Sequence, residues 1–199
     1  MRFDWFQSAI EKIACLMARR GVPVVFQGDQ AYTDGKRIVL PTSTGHLSDD
    51  MVHRLHGLVD HEEGHIEHTD FTSWKRDFGG YEGFHRTLLN ALEDVRVDNA
   101  QGVAYPGAKV NLTRLRELEI ADEKPETWAA LTPPAKLIYA MQREYRGEPI
   151  PPLDPYSQLL WNVVATERQQ MAGLNSTKAV WELAATVARM PPPARAISS

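Results

Sequence analysis

The chain has little that would staple it, anchor it or draw it to a polyanion. A single cysteine, Cys15, stands among 199 residues, so no internal disulfide can form and stability must come from a buried core. Cys15 falls in an apolar helical pattern, where an inert buried thiol is the expected reading. No stretch approaches the ~18 apolar residues of a membrane span. The opening MRFDWFQSAIEKIACLMARR carries acids early and lacks the continuous apolar run of a signal peptide. The 22 Lys and Arg residues are scattered among 26 acids, giving a net charge of −4 and a pI near 6.0. With no basic block, nucleic acid is a poor partner. No internal repeat is visible. A cytoplasmic protein with neither membrane nor nucleic acid as partner is expected.

The composition that remains, 43% hydrophobic and 24% charged, is that of a globular protein with one domain, or one domain and a helical extension. Phe6, Ile10, Ile13, Leu16 and Met17 follow helical spacing, and Gly21 is expected to end that helix. The period then changes in VPVVFQGDQAYTDGKRIVLPTS, where β-branched residues and the Asp34-Gly35 turn predict a small antiparallel sheet with a hairpin between AYT and KRIVL. Ser48, followed by Asp49 and Asp50, predicts the N-cap of a helix reaching about Thr69. After Gly79-Gly80 a second long helix is expected over about residues 82–101, closed by Gly102. Further helices separated by Pro-rich turns follow, with Pro133-Pro134 marking a helix start and MPPPARAISS as a tail. Trp128, Trp161 and Trp181 read as core anchors, while His53 and His56 read as solvated.

The first long helix contains His61-Glu-Glu-Gly-His65. At 100° per residue, Met51, Val52, Leu55, Leu58, Val59 and Ile66 form one apolar stripe, and Glu62 falls inside it. A purely structural helix would carry Leu there. His61 and His65 lie one turn apart beside the stripe, close enough for both imidazoles to take one ion. Gly64 costs helix stability of roughly 0.5–1 kcal/mol but lets another chain segment approach. The spacing is H-E-x-x-H, for which the expected chemistry is a zinc-bound water activated by the glutamate.

A catalytic zinc commonly has three protein ligands. His68 shares the face of His61 and His65, but three imidazoles along one straight helix do not readily converge, and the pattern HExxHxxGxxH is incomplete. On the second helix Glu93 sits midway between Leu89 and Val97 in an apolar patch, which makes it the expected third ligand. Asp94, on the polar arc with Asn90 and Asp98, is the alternative.

HEEGH followed by a helix with ALEDVRVD resembles the gluzincin class of zinc metallopeptidases. More narrowly, AYTDGKRIVLP, then HEEGHIEHTDF, then LLNALEDVR are similar to the bacterial and phage metallopeptidase domains of cobaltochelatase-subunit-like proteins, which accompany von Willebrand A-type domains. The resemblance covers about residues 22–100. It implies an α+β, zincin-like fold in which residues 1–125 form the metallopeptidase core, 126–190 a helical part packed on it, and 191–199 a Pro-rich tail. It implies one Zn2+ on His61, His65 and Glu93, with Glu62 as general base. It further implies that KRIVLPTS is the edge strand along which an extended peptide aligns. One departure stands out: where thermolysin-like enzymes place an Asp four residues after the glutamate ligand to orient a histidine, this chain has Val97, so that role falls to Asp94 or Asp98 or is missing. Tyr81 and Tyr105 are candidate oxyanion donors between which sequence does not choose, and His85, a further candidate, reads better as structural.

The expected function is therefore a zinc-dependent metallopeptidase acting on a peptide or protein substrate. Any von Willebrand A-type or other regulatory partner must come from elsewhere. The alternative is a metal-stabilised, non-catalytic binding or assembly module of a larger complex.

Overall fold

The computed structural model describes residues 2–17, 22–77 and 83–190, with side chains described over 2–10, 22–76 and 83–190. Gly21, the Gly79-Gly80 loop, the Cys15 side chain, Tyr81, the expected helix start near Glu82 and the tail 191–199 lie outside these residues. The chain is α+β and mostly helical. In order it forms α1 (Phe3–Met17), β1 (Val24–Phe26), β2 (Tyr32–Thr33), β3 (Ile38–Leu40), α2 (Asp49–His68), α3 (Phe71–Asp77), α4 (Phe84–Ala104), α5 (Pro106–Asp122), α6 (Pro125–Ala130), α7 (Pro133–Arg146), α8 (Pro155–Val163), α9 (Ala165–Gln170) and α10 (Thr177–Arg189). No described helix is long and apolar enough to cross a membrane.

The sheet is mixed, correcting the antiparallel expectation. β2 and β3 form the hairpin antiparallel, but β1 pairs parallel with β3, in the order β1-β3-β2. Asp34 Oδ1 accepts from Lys36 N and Arg37 N at 2.9 and 3.1 Å, and Gly35 supplies the positive φ of 82° that the turn needs. β3 is consequently the central strand, with Ile38, Val39 and Leu40 all buried. Three consecutive apolar residues are suited to a strand covered on both faces and flanked on both sides. KRIVLPTS is thus not an edge, and no peptide can add to it; the edges are β1 and β2.

The chain divides into two units: the described residues of Met1–Phe71 with Val97–Asp122, and those of Thr72–Arg96 with Glu123–Ser199. The sequence reading keeps 1–125 together, whereas the structure groups 72–96 with the later helices. In the first unit α1, the sheet and α2 share a core of Phe6, Ile10, Ile38, Leu40, Leu55 and Val59. Ser48 caps α2 as expected, accepting from Met51 N at 3.2 Å. His56 is not solvated: it is half-buried and stacks on Phe6, ring centroids 5.3 Å apart. His53 is exposed.

In the second unit Leu88, Leu92, Leu137, Met141, Val180 and Leu183 form the core, with Trp161 and Trp181 packed against it. Trp128 is not a core anchor; it is partly exposed and donates from Nε1 to Pro152 O at 3.0 Å. Thr132 and Pro133 open α7, and Gly147 closes it in the left-handed region. Helix α4 passes the expected stop at Gly102. It ends instead where Pro106 follows, because the residue before a proline is driven out of the helical region.

Candidate metal centre

Helix α2 is covered over most of its circumference: Leu55, Gly57, Val59, Asp60, Glu62, Glu63 and Gly64 are all buried. Two glycines make this possible. A Cβ on Gly57 would lie 2.5 Å from Leu115 Cβ and 3.0 Å from the Asn111 carbonyl oxygen, so α5 could not pack as closely. A Cβ on Gly64 would lie 2.8 Å from Val97 Cγ1 and 3.2 Å from Gln101 Cβ on the last turns of α4. The glycine inside HEEGH therefore serves a helix crossing, and Val97, which occupies the position of the expected second carboxylate, is the residue it admits.

That crossing brings the end of α4 against the histidines. His61 Nδ1 lies 2.7 Å from Asp98 Oδ1. His65 Nδ1 lies 2.9 Å from Thr69 Oγ1, the C-cap residue of its own helix. The two rings are 4.8 Å apart between centroids and nearly perpendicular at 83°. An ionised carboxylate only accepts, so Asp98 holds the proton of His61 on Nδ1 and leaves Nε2 with its lone pair. Anchoring of this type, a ring nitrogen held by a carboxylate or hydroxyl while the other is presented, is how ligating histidines are oriented. The donor chemistry thus suits a zinc ion at the two Nε2 atoms. His68 is turned elsewhere, its Nε2 lying 3.2 Å from Gln101 Oε1.

Glu62 is 5% exposed, as its place in the apolar stripe predicts. Glu93 is fully buried in the second unit, where Arg96 grips it with two bonds, Nη2 to Oε1 at 2.7 Å and Nε to Oε2 at 2.8 Å. Thr177 of α10 donates to Oε1 at 2.8 Å. Asp94 is half-buried, and Asn90 donates to its Oδ2 at 3.3 Å. It precedes Asp98 by one turn of α4, so the two carboxylates stand on one stripe of that helix.

Sequence reasoning missed two acids. Asp60 and Glu63 carried no expectation from sequence, yet they are 4% and 1% exposed. Asn111 Nδ2 donates to Asp60 Oδ2 at 2.8 Å, and burial raises the Asp60 carboxyl against that bond. Glu63 Oε2 has no hydrogen-bond partner. Burial first, then Asp60 and Glu67, push its carboxyl up to about 7. The only sequence signal was the run Asp60-His-Glu-Glu between two close-packing glycines. His85, in the second unit, is buried and held below the ordinary imidazole value by desolvation and then Arg189; this fits a packed group.

No curated protein and no solved structure matches the chain. A family model described as cobalamin biosynthesis protein CobT matches residues 1–172. That span takes in both long helices with HEEGH and ALEDVRVD, and the chain belongs to this CobT family.

Proposed function

We propose that the first unit carries a zinc ion on His61 and His65 and that Glu62 uses the site to hydrolyse a peptide bond in a zincin-like manner. The observation that carries this reading is the anchoring of both Nδ1 atoms, by Asp98 and by Thr69. Both Glu93 oxygens are engaged by Arg96 and Thr177 within the second unit, so Glu93 is not counted among the ligands. When bound, the ion supplies Lewis acidity that polarises a carbonyl and acidifies water. Asp98 keeps His61 in one tautomer and offsets the charge its ring gains on ligation. Glu62, held on the buried face of α2, takes the proton of the attacking water on its carboxylate and returns it to the leaving amine.

The second reading is a metal-stabilised module that recognises a partner without cutting it. Family membership favours it, since the family is described by cobalamin biosynthesis rather than by proteolysis. In that case a further subunit, of von Willebrand A-type or other kind, is the partner. Elemental analysis followed by a peptide-library digest separates the two. About one zinc per chain, with cleavage abolished in Glu62→Gln at unchanged metal content, supports the peptidase. Zinc without any cleavage leaves the assembly module. No zinc after incubation with the metal overturns both.

A further inference from the structure

The first unit also holds a cavity of about 380 Å³ between α1, α2 and the start of α5, a volume within the range of small-molecule sites. Its walls are mostly apolar, from Ile10, Val59, Pro106 and Ala108. Four polar residues line it: Asp60 and His56, one turn apart on α2, Tyr105 in the link between α4 and α5, and Asn111 on α5. Among the described residues Asp60 has one side-chain hydrogen bond, from Asn111 to Oδ2, which leaves Oδ1 without a protein partner. The His56 ring contacts Phe6 through its face, and neither of its nitrogens is hydrogen-bonded by another described residue.

Among the described residues no Lys or Arg lines the cavity. Burial, and then His53, keep His56 below its ordinary value, so it adds no positive charge near neutral pH. A carboxylate that is 4% exposed between apolar walls is costly without a counter-charge. No described side chain provides one. Gly107 leaves the cavity open on the α5 side: a Cβ placed there meets nothing within 4 Å.

The geometry points to a binding site for an ammonium or guanidinium group carried on an apolar body, with Asp60 Oδ1 receiving the cationic head, His56 and Tyr105 flanking it, and Ile10, Val59 and Ala108 covering the body. The ligand is either a small free amine or the Lys or Arg side chain of a protein partner. The site does not depend on the metal reading, because none of the proposed ligands lines it.

The test is amide chemical-shift mapping on the full chain, with a chelator present, using benzylamine and the peptide acetyl-Gly-Lys-Gly-amide as probes. Benzyl alcohol and benzoate serve as neutral and anionic controls. At least one cationic probe should shift Gly107, Ala108 and Asn111, and Asp60→Asn should weaken it by roughly tenfold or more, the worth of a charge-assisted hydrogen bond. Gly107→Leu, which leaves Asp60 in place and fills the opening, should block binding. Tighter binding of the peptide identifies a partner's side chain as the source; binding of the amine alone identifies a small molecule. The proposal is overturned if neither cation shifts these amides, if benzoate binds as well as benzylamine, or if both variants bind like the parent chain.

Discussion

Asp98 and His61, 37 positions apart in sequence, meet through a 2.7 Å contact between Oδ1 and Nδ1. The contact makes Asp98 the orienting group of the candidate metal centre, and it yields the first prediction. Asp98→Ala should lower zinc affinity about 10- to 100-fold, the usual cost of losing such a partner, with little change in circular dichroism. Competition with a zinc-sensitive chelator measures it. Unchanged affinity would mean that His61 does not ligate through Nε2.

Glu93 offers a sharper discrimination. Because Arg96 is itself 5% exposed, Glu93→Ala breaks a buried ion pair and should destabilise the second unit by about 3–5 kcal/mol. Zinc content should nevertheless survive under conditions where the variant is folded. Loss of zinc from the folded variant would restore Glu93 as a ligand.

Metal removal should lower the melting temperature of zinc-loaded protein, since the ion binds the folded arrangement only. At a free zinc concentration of about 100 times Kd the stabilisation is about 2.7 kcal/mol. In His65→Ala the chelator should make no difference, and differential scanning calorimetry distinguishes the two.

The two glycines of α2 should be intolerant of a single methyl group. Gly57→Ala meets the Leu115 side chain and a backbone oxygen, and Gly64→Ala meets Val97; each should cost about 1–3 kcal/mol as overpacking. Gly107→Ala, with nothing near, should be neutral or slightly stabilising. Urea titration of the three variants checks the order, and equal midpoints would refute the close-packing account.

Acid sensitivity should appear at the start of α8. The Ser157 hydroxyl first, then Lys136 and the Ser157 backbone N–H, hold the Asp154 carboxyl well below the ordinary value of 3.8. The folded state therefore favours the ionised form. Its contribution is complete above the ordinary value and is lost as pH falls through the depressed one. At neutral pH Asp154→Ala should melt below the parent chain, and the gap should narrow as pH drops under 3.8. A constant gap would show that the charge is irrelevant.

Much of this was legible locally. Ser48 capping α2, the Asp34-Gly35 hairpin, Pro133 opening α7 and the burial of Glu62 all follow from patterns within a few residues, because capping, turn chemistry and helical periodicity act at that range. What failed was non-local. The family resemblance implied that KRIVLPTS is an edge strand, and the apolar run Ile38–Leu40 inside it does not say which strands flank it. Gly102 looked like a helix stop, but Pro106 is the residue that forces the stop. His56 looked solvated because hydropathy assigns faces, while burial depends on which neighbour arrives.

The sequence by itself determined that an H-E-x-x-H helix exists, that it begins at Ser48, and that a second helix carries Glu93, Asp94 and Asp98 one after another along its turns. Only the tertiary structure decided which carboxylate meets which partner. Glu93 is joined to Thr177 across 84 positions, and Asp98 is joined to His61 through a crossing that Gly64 permits. Adjacent acids on a helix point about 100° apart. Neighbours in sequence therefore enter different surroundings, and those surroundings are supplied by residues that no local pattern can name.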